Sequence, residues 1–240
     1  MLLPGRRARY LVLLLQAASA GSFVAAGSDD LLIASSQTSL TAFFTAVAAL
    51  GQAFRTSYPD VELLTEEMWN ARMPTALRSG LVDLALSVCP EVNGELCYET
   101  IRSETVQALL SVDHPLAGEE EIELEDLAGD AFVLFPRELA PRLYDSLVGI
   151  WRRAGFEPTV RSESFHTSWE LGVLHDVRAV ALVPESVTRE LPERLVGLRI
   201  RDCAERIETA IVWRKDDTSA VGAAFREVAR TVFAGDYLKQ

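Results

Sequence analysis

Five hydroxyl residues, Ser35, Ser36, Thr38, Ser39 and Thr41, crowd a short stretch ahead of a helical pattern. A helix start presents unpaired N–H groups and the positive end of the helix dipole, so hydroxyls gathered there suit a carboxylate ligand. Capping of the helix by the same hydroxyls is the competing reading, and it accounts for one or two of the five. Signs of catalysis are sparse by comparison. The chain contains no G-x-S-x-G, H-E-x-x-H, P-loop or G-x-G-x-x-G. Its three histidines, His114, His166 and His175, are scattered, and His114 precedes Pro115 in a turn, which suits a structural or an exposed side chain. His175-Asp176 forms half of a dyad without a matching nucleophile. The acidic run from Glu119 to Glu125 reads as a solvated linker or a helix start, because it offers no convergent geometry for a metal. Cys89, Cys97 and Cys203 are odd in number and contain no C-x-x-C pair, which argues against a disulfide framework or a zinc site and fits a reducing compartment. The expectation is a binding protein, not an enzyme, with no metal and no cofactor.

Composition narrows the class. The 240 residues, 49% hydrophobic and 24% charged, allow one large domain or two small ones with a sizeable core. No run of 18 or more apolar residues occurs, so no membrane association is expected. The formal charge of −12 opposes contact with phosphates, so direct DNA binding is expected to be weak or absent. Residues 1–29 differ from the rest. Arg6, Arg7 and Arg9, the apolar run Tyr10 to Leu15 and the small residues ending at Ala18-Ser-Ala20 have the shape of a short secretory signal.

Strand-like and helix-like segments alternate from Asp30 onward. Leu31 to Ala34 reads as a strand. Phe43, Phe44, Val47, Leu50 and Phe54 make one helical face, and Val61 to Leu64 resumes an extended pattern after Tyr58-Pro-Asp60. A helix over Asn70 to Ser79 stops at Gly80. Further strands are expected at Asp83 to Leu86, Thr105 to Val112, Phe132 to Phe135, Val160 to Ser164, Ala179 to Val183, Leu195 to Ile200 and Ile207 to Val212. Helices are expected at Pro141 to Ala154, Ser168 to His175 and Ala220 to Phe233. This alternation predicts an α/β fold with largely parallel sheets, in two lobes with a ligand cleft between them.

Six ordered segments carry a family resemblance. Phe54-Arg-Thr-Ser-Tyr-Pro-Asp-Val-Glu-Leu63, Ala76-Leu-Arg-Ser-Gly-Leu-Val-Asp-Leu-Ala-Leu86, Asp113-His-Pro-Leu-Ala-Gly118, Phe132-Val-Leu-Phe-Pro-Arg137, Ala154-Gly-Phe-Glu-Pro158 and Val180-Ala-Leu-Val-Pro184 succeed one another over residues 54–235. Together they resemble the effector-binding domain of LysR-type transcriptional regulators, in particular those answering to muconate, benzoate or related acids of aromatic pathways. The resemblance implies two Rossmann-like lobes of the periplasmic-binding-protein type II kind. Lobe I would hold residues 30–107 and 207–240, and lobe II residues 108–206. It implies a small carboxylate-bearing effector between the lobes, cytoplasmic transcriptional regulation, and assembly as a homodimer, a higher oligomer or a hetero-oligomer with a full-length regulator.

The implied ligand contacts are Ser36 and Thr38 in the loop after the first strand and Asn70 at the next helix start. Backbone contacts would come from the turn at Pro136 and Arg137, and further contacts from His166, Thr167 and Ser168. Two features depart from the pattern. Val177 and Ala179 stand where the family often has glycines. The front of the chain also has no room for both a winged helix-turn-helix and a linker helix. Gly21-Ser-Phe23 and Ser36-Gln-Thr-Ser-Leu-Thr41 only faintly resemble landmarks of that DNA-binding module, which is therefore expected to be missing or degenerate. An exported periplasmic solute-binding protein of the same fold is the alternative reading, and the signal-like front is its support.

Overall fold

The computed structural model describes residues 41–66, 68–163, 176–189 and 191–234. Its first helix, α1 (Thr41–Ser57), buries Leu50 and Phe54 completely. The Phe54 ring meets Phe225 edge-on at 5.1 Å, which packs α1 against the last helix, α4 (Ala220–Ala234). A 3-10 turn, Asn70–Arg72, runs into α2 (Met73–Arg78), and Gly80 follows at φ +71, a backbone state open to glycine at little steric cost. The helix α3 (Pro141–Arg153) is stopped in the same way by Gly155 at φ +85.

Among the described residues, eight strands support these helices: β1 (Leu84–Val88), β2 (Leu96–Ser111), β3 (Glu121–Ile122), β4 (Ala131–Leu134), β5 (Thr159–Glu163), β6 (Ala179–Pro184), β7 (Leu195–Ile200) and β8 (Arg206–Arg214). One strand, β2, belongs to two sheets. Leu96 to Thr105 pair with β8, which in turn pairs with β1. Val106 to Ser111 lie between β6 and β7. Beyond β6 the second sheet continues through β4 to β5, and β3 pairs with β7.

The sheets are mixed, which corrects the expectation of largely parallel sheets. Among the described strands β4 pairs in parallel with β5 and β6, and β3 with β7, whereas all pairs made by β2 and β8 are antiparallel. The alternation of strand and helix along the chain does not show the direction of strands that cross from one sheet to the other, and β2 and β8 are long ones. The first half of β2 was not among the expected strands. Its Tyr98, Thr100 and Ser103 are exposed, so it lacks the continuous apolar run by which its second half is recognised. Val61 to Leu64, expected as extended, forms no strand in the described structure. The expected strand at Leu31 to Ala34 and helix at Ser168 to His175 lie outside the described residues.

Side chains brace the place where β2 changes sheet. Glu104 is buried, accepts a hydrogen bond from the Ser186 N–H at 3.0 Å and pairs with Arg102 at 3.2 Å. The Thr105 hydroxyl donates to the Glu185 carboxylate at 2.8 Å, and this bond is the first cause holding the Glu185 carboxyl below its ordinary pKa. Glu104 and Thr105 thus both engage the 3-10 helix Glu185–Arg189 that follows β6, so the crossing strand is tied directly to the second sheet.

Candidate ligand-binding site

Two loops at the carboxyl ends of strands face each other where the sheets meet, a common position for ligands in α/β folds. On the first sheet, β1 ends at Val88 and is followed by Cys89 at φ +48 and buried Pro90. Asn70 opens the 3-10 turn beside this exit. Its side chain is buried, and its Nδ2 donates to the Val88 carbonyl at 2.5 Å. This bond fixes the helix start to the end of β1. It engages one amide N–H and leaves the other N–H and Oδ1 for a further partner.

On the second sheet, β4 runs into Phe135 and Pro136, both buried, and then into the 3-10 turn Arg137–Leu139. Pro136 has no N–H, and its carbonyl accepts from the Leu139 N–H at 3.0 Å. The first backbone donors of this turn are thus the Arg137 and Glu138 N–H groups. The Arg137 side chain is already engaged. Its guanidinium forks onto Asp145 at 2.7 and 2.6 Å, which raises its own pKa and lowers that of the Asp145 carboxyl.

The turns at Asn70–Arg72 and Arg137–Leu139 pack against each other. Trp69 stacks towards Phe135 with ring centroids 6.5 Å apart, and Phe135 meets Tyr144 of α3 at 6.1 Å. A second tie is polar: Arg142, near the start of α3, donates from Nη1 to the Pro90 carbonyl at 2.7 Å. Between Val88 and Pro90, burial pushes the Cys89 thiol pKa up. A small pocket, partly open to solvent, is lined by Asn70 together with Met73, Leu77, Ser87, Pro90 and Glu91.

The structure thus gathers Asn70, Pro136 and Arg137 at one place. Ser36, Thr38, His166, Thr167 and Ser168 lie outside the described residues. Trp69, Phe135 and Arg142 were not among the expected site residues. The signal for Trp69 and Phe135 was adjacency, since each immediately precedes an expected contact, Asn70 or Pro136.

His114 turns out to be structural and buried, not exposed. Its Nδ1 accepts from the Leu116 N–H at 3.1 Å, so the ring proton sits on Nε2, which faces Asp130 at 3.3 Å. The approach is too poorly aligned for a regular hydrogen bond. Arg178 approaches the other oxygen of Asp130 at 2.6 Å. The His-Pro turn is thereby anchored to the segments that lead into β4 and β6. Of the two positions where glycine was expected, Val177 is exposed, and Ala179 is buried as the first residue of β6.

The LysR substrate binding domain family model matches residues 28–234. The HTH-type transcriptional regulator BudR of Raoultella terrigena is 30% identical over 192 residues, which are 80% of this chain and 66% of that protein. An uncharacterized HTH-type transcriptional regulator of Escherichia coli (strain K12), YnfL, is 29% identical over 178 residues, 74% of this chain and 60% of that protein. The chain therefore spans about 60–66% of the length of these relatives. Among solved structures, the BenM effector binding domain with its effector benzoate superposes with a TM-score of 0.72 at 17% identity, covering 94% of this chain and 92% of that one. CbnR, a LysR family transcriptional regulator, gives a TM-score of 0.70 at 19% identity over 94% of this chain and 70% of that one. At such identity these structures bear on the fold alone. They are of the two-lobed effector-binding type expected from the sequence.

Proposed function

The chain belongs to the LysR substrate-binding domain family, and from that premise we propose that it senses a small organic acid held between its two lobes, within cytoplasmic transcriptional regulation. The observation that carries the proposal is the meeting of Asn70 with the Pro136–Arg137 turn across the two sheets. The buried Asn70 amide and the first backbone donors of the Arg137 turn are brought together there, beside the stacked rings of Trp69 and Phe135. These groups suit a ligand with a carboxylate and an apolar body. Ser36, Thr38, His166, Thr167 and Ser168 complete the proposed contact set by their place in the sequence.

The family and its named relatives are those of transcriptional regulators, not enzymes. They lend nothing to the reading as an exported solute-binding protein. Among the described residues no helix is long and apolar enough to cross a membrane. The proposal includes two lobes divided near the sheet switch of β2, with residues 30–107 and 207–240 in one and 108–206 in the other. It also includes assembly as a homodimer, a higher oligomer or a hetero-oligomer with a full-length regulator. The charge of −12 opposes phosphate contacts, so we assign DNA reading to none of the described residues.

A thermal-melting screen of the purified chain against aliphatic and aromatic mono- and dicarboxylates tests the effector reading. A ligand at 100 times its Kd stabilises the native state by about 2.7 kcal/mol. For a domain of this size, that raises the melting temperature by about 5–10 °C. A panel that leaves the melting temperature unchanged throughout contradicts it.

A further inference from the structure

We infer that Arg142 is the residue that recognises the carboxylate of the effector and makes the site prefer an acid to its neutral amide. The inference rests on the effector reading above and adds to it a charged residue from the second lobe.

Two side chains converge on one short segment. Asn70, from the first lobe, holds the Val88 carbonyl at 2.5 Å. Arg142, from α3 of the second lobe, holds the Pro90 carbonyl at 2.7 Å. Only Cys89 separates the two carbonyls, and its φ of +48 makes a sharp bend between them. A ligand lying between the lobes at Asn70 is therefore beside Arg142 as well.

Charge makes the case specific. Arg137, on the same lobe as Arg142, forks onto Asp145 through Nε and Nη2. Arg142 makes no ion pair with a carboxylate among the described residues, and the described hydrogen bond of its side chain goes to a neutral carbonyl. A guanidinium has five N–H donors in a planar fork whose geometry matches a carboxylate. Its positive charge reaches the segment after β1, where it acts on the Cys89 thiol. A carboxylate offers this guanidinium a stronger, charge-assisted partner than the Pro90 carbonyl. The effector would take one face of the fork, while Asn70 contributes its remaining amide hydrogen from the opposite lobe.

Isothermal titration of the full chain with benzoate and succinate, each beside its neutral amide (benzamide, succinamide), tests the inference on wild type, Arg142→Gln and Arg142→Lys. Wild type should bind at least one acid more tightly than its amide. Arg142→Gln should bind that acid about 10–100-fold more weakly, as expected for loss of one charged hydrogen-bonding partner, with amide binding unchanged. Arg142→Lys keeps the charge without the fork and should fall between the two. Arg142 is exposed on its helix, so ligand-free melting of both variants should stay near that of wild type. Acid binding by Arg142→Gln at wild-type strength overturns the role of Arg142 and leaves the effector reading standing, as does a wild type that binds acid and amide alike. A wild type that takes none of the acids overturns both.

Discussion

Asn70 has two tasks that a single substitution can separate. Its bond to Val88 pins a helix start to a strand end, and its remaining amide hydrogen is the one we propose for the effector. Asn70→Ala leaves a buried carbonyl without its partner, and chemical denaturation should show a loss of about 1–3 kcal/mol. Effector affinity should fall as well. Asn70→Asp sets a carboxylate against the Val88 carbonyl and should destabilise at least as much. His114 is a purely structural counterpart. His114→Ala removes the imidazole from a fully buried Asp130, which among the described residues then keeps Arg178. The expected cost is about 1–3 kcal/mol, with effector affinity unchanged at equal folded fraction. Asn70 was legible in the sequence because a polar residue at a helix start is a local signal. Arg142 was not, because its partner Pro90 is 52 residues away and nothing near Arg142 announces it.

The packing of β7 against the 3-10 helix after β6 depends on the absence of one side chain. A Cβ at Gly197 would clash with the Thr188 Cβ, and Thr188 is itself held in place, its hydroxyl proton lying between the Gln107 Oε1 at 2.6 Å and the Glu185 carbonyl at 2.9 Å. Gly197→Ala should therefore cost about 1–3 kcal/mol in thermal or chemical unfolding. The adjoining Thr105–Glu185 bond has a pH signature. Because the folded carboxyl is held below its ordinary pKa, its stabilising contribution is complete above the unfolded pKa and is lost as pH falls through the folded value. Thr105→Val removes the first cause of that shift. NMR titration should then show the Glu185 carboxyl moving up towards its ordinary value, and unfolding below neutrality should become less steeply pH-dependent. Elements of this kind were readable to different degrees. β4 and β6 are continuous apolar runs and stood out. The first half of β2 did not, because its outward face carries Tyr98, Thr100 and Ser103, and its polar Glu99 is satisfied by Arg230 on α4.

The arrangement as a whole follows from one long strand. β2 passes from the first sheet to the second between Thr105 and Val106, so each sheet builds its own layer while the loops after β1 and β4 meet beside the crossing. Ordered sequence motifs identified this architecture because each lies at a strand end or turn that the fold requires. They did not reveal strand direction at the crossings, which depends on pairing between residues a hundred or so positions apart, such as Ser103 with Glu208. Binding of an organic acid between the lobes is read out residue by residue in an NMR titration of the chain with an acid that raises its melting temperature. Such binding should give the largest backbone amide shifts at Asn70 to Arg72, Cys89, and Arg137 to Leu139, together with a shift of the Asn70 side-chain amide. Shifts that leave those residues unmoved and gather elsewhere, for example around Trp213 and Arg226 on the α4 side of the first sheet, would contradict it.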